Sequence, residues 1–238
     1  MSSKRHSILP SASQSGPKPP VHLSSSLTIA DSAVLTGTHQ ITVHGESVIH
    51  PRARLDSHAG RVTIGRRCVV HERATIGSSS SGLASARSSA VLSSARSSMA
   101  SPGVLSPTAA VAGSGGEAAS QSTTAQAVTL GDYVTVEVGA VIEAGGTVVG
   151  DGTVVGVGAR VGAGAVLGKR DLRHENHCTL TPQSAVPPGD VVPDFTVVYA
   201  NGMRRTDRRG MVELKNKGLA RQIEVLRRLI PSNPAKFA

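Results

Sequence analysis

The sequence predicts an all-β protein: a left-handed parallel β-helix of about seven coils followed by one C-terminal α-helix. Two observations predict this fold. A bulky aliphatic residue returns at every sixth position over most of the chain, and a small residue stands four places after most of these aliphatics. A six-residue period fits neither an α-helix nor an ordinary strand, and it is the repeat length of a β-helix. Left-handedness is a property of proteins with this repeat, which the spacing alone does not establish.

The aliphatic series is predicted to fill the centre of a triangular prism. Three hexads make one coil of about eighteen residues, with one bulky side chain from each side at the axis. The series consists of Ile29, Leu35, Ile41, Val43, Ile49, Leu55, Ile64, Val70, Ile76, Leu130, Val136, Ile142, Val149, Val155, Val161, Leu167, Leu180, Val186, Val192 and Val198. Small residues such as Ala53, Ala74 and Ala159 are expected to face inward where the chain bends and space is short.

The composition agrees with such a core. The chain has 238 residues with two Tyr, two Phe and no Trp, and a β-helix is filled by Val, Ile and Leu. No segment approaches the ~18 apolar residues of a membrane span, and no apolar run follows the first basic residues as in a secretory signal. We therefore expect no membrane insertion. Cys68 falls in an inward small-residue position, so we expect a buried free thiol and a reducing intracellular compartment.

Composition changes divide the chain into segments. The start is rich in Ser and Pro, and a central stretch holds sixteen serines and no aromatic residue, so neither buries enough apolar surface to order itself. The predicted division is a disordered tail at 1–25, coils one to three at 26–77, a disordered insert at 78–127, coils four to seven at 128–202, a basic connector at 203–210, an amphipathic helix at 211–230 and a tail at 231–238.

Positive charge is concentrated at the C-terminal end. The net charge is +9, and residues 199–238 contribute ten Lys or Arg against three acidic residues, a net of +7. Without aromatic stacking platforms or a recognition motif, nucleic-acid binding is not expected. An acidic protein partner or a solvated basic face is favoured. The candidate partner-binding residues are Arg204, Arg205, Arg208 and Arg209.

The serine-rich insert contains candidate phosphorylation sites. Ser101 and Ser106 each precede a proline, which suits proline-directed kinases. Each phosphate would add about −1.5 to −2 charge. Such motifs are common by chance in serine-rich segments.

Histidines are the residues that could support chemistry in such a prism. Some hexapeptide-repeat proteins are acyltransferases, which use a histidine as general base, and others are γ-class carbonic anhydrases, which bind zinc through three histidines. His39 and His44 have a spacing that resembles paired zinc ligands, but the register of the repeat shifts between them. The long insert contains no His or Asp, so it is poorly suited to form one side of an acyl-transfer active site.

His50 and His71 occupy the same place in a repeated phrase. The segments Val48-Ile-His-Pro-Arg-Ala-Arg-Leu55 and Val69-Val-His-Glu-Arg-Ala-Thr-Ile76 place both histidines directly after an inward aliphatic, on adjacent coils. Glu137 is next in that column. Coils are ~4.8 Å apart, so two neighbours could share a metal but three in a column could not. His44, His50 and His71 are thus weak metal candidates, and a polar surface ladder is the simpler interpretation. We expect no bound metal or cofactor.

Longer phrases carry a family resemblance. The segment Ile41-Thr-Val-His-Gly-Glu-Ser-Val-Ile-His-Pro-Arg-Ala-Arg-Leu55, then Val62-Thr-Ile-Gly65 and Val70-His-Glu72, resembles the opening coils of the dynactin subunit 6 family. The phrase Val197-Val-Tyr-Ala-Asn-Gly-Met-Arg-Arg205, followed by one helix, is similar to the end of that family. The resemblance covers roughly 27–76 and 128–230. The insert and the N-terminal tail depart from the family pattern.

This resemblance implies a non-enzymatic adaptor. The family is a structural part of the dynactin pointed-end complex, which supports dynein-driven, microtubule-based cargo transport. It implies a hetero-oligomer with dynactin subunit 5 and other pointed-end subunits, no small-molecule substrate, and a location in the cytoplasm at the cytoskeleton. The alternative is a hexapeptide-repeat enzyme, either γ-carbonic-anhydrase-like or an acyltransferase. Such enzymes are generally homotrimers, so metal content and native assembly would discriminate the two.

Overall fold

The computed structural model describes residues 18–79, 126–168, 177–208 and 210–237. Ser101, Ser106 and Arg209 lie outside these ranges. The described chain winds into a three-sided prism with one parallel sheet on each side. Neighbouring strands on a side belong to successive coils, so each strand pairs with one about a coil away in sequence. An antiparallel last pair is the exception.

The strands are numbered β1 to β21 in chain order. The first face contains β1 (Val21–Leu23), β4 (Ile41–Val43), β7 (Val62–Ile64), β10 (Val128–Leu130), β13 (Thr147–Val149), β16 (Val166–Leu167) and β19 (Val191–Val192). The second face contains β2 (Thr28–Ile29), β5 (Val48–Ile49), β8 (Val69–Val70), β11 (Thr135–Val136), β14 (Val154–Val155), β17 (Thr179–Leu180), β20 (Thr196–Val198) and β21 (Arg204–Thr206). The third face contains β3 (Val34–Gly37), β6 (Arg54–Ser57), β9 (Thr75–Ser78), β12 (Val141–Glu143), β15 (Arg160–Val161) and β18 (Ala185–Val186). The described strands therefore form six complete coils and part of a seventh.

The hexad aliphatics form the core as predicted. Nearly all of them are buried, and the small residues Ala53, Ala74 and Ala159 are fully buried beside them. Leu35 is only partly buried but packs against the same cluster. Cys68 is buried within this core, and desolvation raises the pKa of its thiol to about 12. The thiol is therefore protonated and unreactive at neutral pH.

The first coil begins earlier than predicted. Strand β1 lies inside the segment assigned to a disordered tail, and it pairs in parallel with β4. Leu23 stands six residues before Ile29, so it extends the aliphatic series, and Val21 and Leu23 both pack against the core. Pro20 and the polar residues before it obscure this hexad.

The predicted insert interrupts the chain between two complete coils. Strand β9 ends at Ser78 and β10 begins at Val128. The stack continues across this interval, because β10 pairs with β7 and β12 pairs with β9. Nearly all of the insert lies outside the described residues.

The predicted basic connector is partly a strand. Arg204–Thr206 form β21, which pairs antiparallel with β20. Gly202 has a φ of +78°, a conformation that glycine adopts without steric cost, and it permits the tight turn between the two strands. The six-residue period ends at this point in the sequence. Its loss correctly predicted the end of the coils, but it gave no sign of the hairpin that follows.

The C-terminal helix, α1 (Val212–Leu229), matches the predicted segment 211–230 closely. It folds back along the second face. Ile223 is 4% exposed and packs with Val48 and Val69, while Leu219 and Leu226 are partly buried beside them. At about 1.5 Å per residue its eighteen residues span ~27 Å, close to the ~29 Å between the first and seventh strands of a face.

The segment after α1 reaches the first coil, so it is not the free tail that the composition suggested. Ser232 forms an antiparallel bridge with Ala30, and the backbone N–H of Asn233 donates to the carbonyl oxygen of Ile29 at 3.1 Å. Lys236 pairs with Asp31 at 3.3 Å. The chain thereby covers an edge of its first coil with its own C-terminal residues. In the part of the chain that the structure describes, no helix is long and apolar enough to cross a membrane.

Candidate functional site

His50 and His71 lie side by side at the corner between the second and third faces. Each directly follows a strand of the second face, β5 or β8. The backbone N–H of His50 donates to Val70 at 2.9 Å, and that of His71 donates to Val136 at 2.8 Å. This ladder places His50, His71 and Glu137 one above another on three successive coils. We call these three residues the histidine corner.

The two imidazole rings are in contact. Their centroids are 4.5 Å apart with an interplanar angle of 32°. This distance is close to the strand spacing, so the fold itself sets it. The Nε2 atom of His50 is buried and has no hydrogen-bond partner among the described residues. The Nε2 edge of the His50 ring is therefore closed to solvent.

Both rings are disposed to be neutral. Desolvation lowers the pKa of His50, and a positive charge on His71 would lower it further, while Glu72 acts in the opposite direction. Desolvation also lowers the pKa of His71, against the attraction of Glu137 and Glu72. A neutral imidazole retains a free lone pair, which a general base or a metal ligand requires.

The histidine corner does not form a closed metal site. The Glu137 carboxylate accepts a hydrogen bond from the backbone N–H of Val157 at 3.1 Å, which ties it to the following coil, on the side away from His71. Within the described ranges, no group of three or more His, Cys, Asp or Glu side chains is arranged to hold a metal ion. A metal at His50 and His71 would need ligands from another chain.

His44, the third metal candidate, lies apart from this pair. It directly follows β4, at the corner between the first and second faces. His39, its possible partner by spacing, donates a ring N–H to the carbonyl oxygen of Ser57 at 2.9 Å. The structure therefore does not bring His44 together with the other two candidates.

The basic residues near the C-terminus have different surroundings. Arg204 forms an ion pair with Asp190 and donates to the backbone of Val191. Arg205 and Arg208 line a pocket of about 490 Å³ together with Val197, Tyr199, Thr206 and Asp207. Strands β20 and β21 form one wall of this pocket, so the hairpin that the sequence did not reveal creates it.

Sequence reasoning missed a second polar column at the corner between the first and second faces. Arg67 bridges the carboxylate of Glu46 and the hydroxyl of Tyr133, which lie on the coils before and after it. Each of the three stands three residues before an inward aliphatic, and that shared place in the hexad was the available signal. All three have positive φ angles near 55–59°. These groups are largely exposed, so the ion pair contributes little to stability.

Comparisons with known proteins identify the fold. A scan against protein-family models and a search of curated proteins match nothing. Among solved structures, a hexapeptide transferase family protein from Anaplasma phagocytophilum matches with a TM-score of 0.57 and 15% identity, covering 88% of this chain and 91% of that one. A proposed acetyltransferase from Bacillus cereus matches with a TM-score of 0.58 and 16% identity, covering 90% of this chain and 99% of that one.

These matches correct the predicted function. The resemblance in sequence implied a non-enzymatic dynactin adaptor, whereas these structural neighbours are described as transferases. They contradict both the adaptor function and the prediction that the chain is not an enzyme. The predicted pairing with dynactin subunit 5 and the predicted location at the cytoskeleton stay predictions. What the comparisons establish is the fold: the chain is a left-handed β-helix like those of hexapeptide-repeat proteins.

Proposed function

We propose that the chain is an acyltransferase of the hexapeptide-repeat type, with His71 as its general base. The observation that carries the proposal is the pair of desolvated imidazoles of His50 and His71, 4.5 Å apart on adjacent coils. The acetyltransferase description of a structural neighbour supports an acetyl group as the group transferred.

The geometry favours acyl transfer over zinc-dependent hydration. A zinc enzyme needs three protein ligands around one ion, and the described residues do not supply them. Acyl transfer by a general base needs one neutral imidazole within reach of the attacking group. The lowered pKa of His71 keeps that imidazole neutral at physiological pH.

The two histidines have separate roles in this proposal. The ring of His71 removes the proton from an acceptor hydroxyl or amine. At the same time, the oxygen or nitrogen of that acceptor attacks the acyl carbonyl carbon. The bond to the sulfur of a thioester donor then breaks, and the proton passes to the leaving thiolate. The buried Nε2 of His50 cannot reach a substrate, so His50 positions and desolvates the His71 ring.

The test is acetyl transfer measured as thiol release from acetyl-coenzyme A, with a panel of amine and hydroxyl acceptors. His71→Ala should lower kcat/KM by about 100-fold or more, the usual contribution of a general base. His58→Ala is the matched control, because His58 is exposed and pairs with Asp56 outside the histidine corner. Absence of transfer by the native chain with every acceptor, or equal activity of both variants, would contradict the proposal.

A further inference from the structure

The side of α1 that faces away from the prism carries an uncovered stripe of mostly apolar residues. Its members recur at intervals of three or four residues, the spacing that places side chains on one side of a helix. We call this set the outer stripe: Leu214, Gly218, Arg221, Val225 and Leu229. Leu214, Val225 and Leu229 are 61%, 56% and 70% exposed. Apolar side chains that line up in this way, rather than scatter singly, indicate a contact surface.

Gly218 makes a notch in the outer stripe. A Cβ atom added to Gly218 would meet no other atom within 4 Å, so packing against the prism does not require a glycine there. Glycine at this place costs the helix about 1 kcal/mol relative to alanine. The missing side chain lets the backbone of a second helix approach α1 closely, because the distance between packed helices depends on the side chains at the contact. The shape of the stripe therefore favours a helix as its partner.

Arg221 is the charged member of the outer stripe, and it is exposed. Within the described ranges Arg221 forms no ion pair or hydrogen bond, whereas each of the other four cations of α1 lies near a carboxylate of this chain. The helix carries five Lys or Arg against two Glu, and residues 199–238 hold +7 of the net charge of +9. Burying an unpaired charge is costly. A partner that covers the stripe therefore has to bring a carboxylate to Arg221.

We propose that the outer stripe binds an acidic amphipathic helix of another protein. The apolar residues of that helix, three or four positions apart, pack on Leu214, Val225 and Leu229, and one of them enters the notch at Gly218. A Glu or Asp of the partner pairs with Arg221. Further acidic residues meet the positive field of the C-terminal region, which speeds association and excludes basic partners. The inference is independent of the proposed acyl transfer.

Two other occupants fit the outer stripe less well. Arg221 lies at the middle of α1, so two copies of the helix related by a two-fold axis and overlapping fully would place Arg221 opposite Arg221, whether they run parallel or antiparallel. A lipid surface would receive the Arg221 charge at the centre of the apolar stripe, and α1 contains no aromatic residue of the kind that anchors helices at membrane interfaces. The carboxylate of an acidic helix meets neither difficulty.

The test measures binding of the full-length chain to a fluorescent helical peptide of three heptads, with Leu at the a and d positions and Glu at the flanking e and g positions. Fluorescence anisotropy should give a Kd of about 100 μM or lower. A peptide with Lys in place of each Glu should bind about tenfold more weakly or worse. Arg221→Gln should weaken binding of the acidic peptide about fivefold or more, and Val225→Asp about tenfold or more. Arg227→Gln is the matched control, because Arg227 is on the same helix but lines a pocket beside Glu46 of the prism; its effect should stay within about twofold.

Thermal melting verifies that each variant is folded. Failure of the native chain to bind the acidic peptide overturns the inference, and so does equal binding of the acidic and the basic peptide. Equal losses in Arg221→Gln and Arg227→Gln would also overturn it, because the attraction would then come from net charge alone. The same holds if Val225→Asp abolishes only binding to vesicles of phosphatidylserine and phosphatidylcholine, or only self-association of the native chain, since the stripe would then contact lipid or a second copy.

Discussion

The ring of His50 packs against the ring of His71 with 4.5 Å between centroids, and the two rings come from coils about twenty residues apart in sequence. Burial lowers the pKa of both imidazoles from the ordinary value of 6.5. A histidine with a lowered pKa binds protons more readily in the unfolded chain than in the folded one. The pair therefore links folding to pH.

We expect the free energy of unfolding to fall as the pH drops below about 6.5, the ordinary pKa of histidine in the unfolded chain, because the unfolded histidines take up protons first. Urea denaturation at several pH values measures this slope. The double variant His50→Gln/His71→Gln should have a shallower slope than the native chain. Equal slopes in the native chain and the double variant would show that the pair does not contribute.

Removal of the Ile223 side chain should destabilise the free chain. Ile223 is 4% exposed and fills the contact between α1 and the second face. Ile223→Ala should cost about 2–4 kcal/mol of unfolding free energy, and Ile223→Asp should cost more because it buries a charge. The control is Val225→Ala, on the exposed side of the helix at 56% exposure, with an expected change within about 0.5 kcal/mol. Native stability in Ile223→Asp would mean that the helix does not stabilise the prism.

The hexad period accounts for most of the fold because it is a local pattern repeated in the chain. Leu55 and Ile76 were predicted to be buried, and both are. The same period placed His50 above His71, so the adjacency of the pair was predictable. The lowered pKa values of the two histidines could not be predicted, because they depend on the burial of the rings, which the spacing of residues in the sequence does not reveal. The hairpin at Arg204–Thr206 was missed because it follows the end of the period.

A substitution at a coil corner should stabilise the protein. Arg73 has a φ of 56°, which costs a non-glycine residue about 1–2 kcal/mol. Gly139 and Gly158 occupy the equivalent place on the next two coils. Arg73→Gly should raise the unfolding free energy by about 0.5–1 kcal/mol, after the greater flexibility of glycine in the unfolded chain is subtracted. Arg54→Gly, within strand β6, is the control and should destabilise. A loss of stability in both variants would refute the strain argument.

Shortening the insert should leave the prism intact. The coils on either side already pair directly through β7 and β10, and closing a shorter loop costs less entropy. Replacing residues 80–125 with a short Gly-Ser linker removes about three doublings of loop length, so stability should rise by at most ~2 kcal/mol. Circular dichroism and the melting temperature measure the effect. A clear drop in melting temperature would show that the insert packs on the coils.

One of the contacts by which the C-terminal segment closes the first coil is a side-chain hydrogen bond that can be removed. The backbone N–H of Ile29 donates to the hydroxyl oxygen of Ser232 at 3.0 Å, across 203 residues of sequence. Ser232→Ala leaves this N–H without its acceptor and should cost about 1 kcal/mol. Hydrogen exchange of the Ile29 amide should become faster. Ser232→Thr keeps a hydroxyl and should largely retain protection. If exchange at Ile29 is unchanged in Ser232→Ala, the first coil is closed by other contacts.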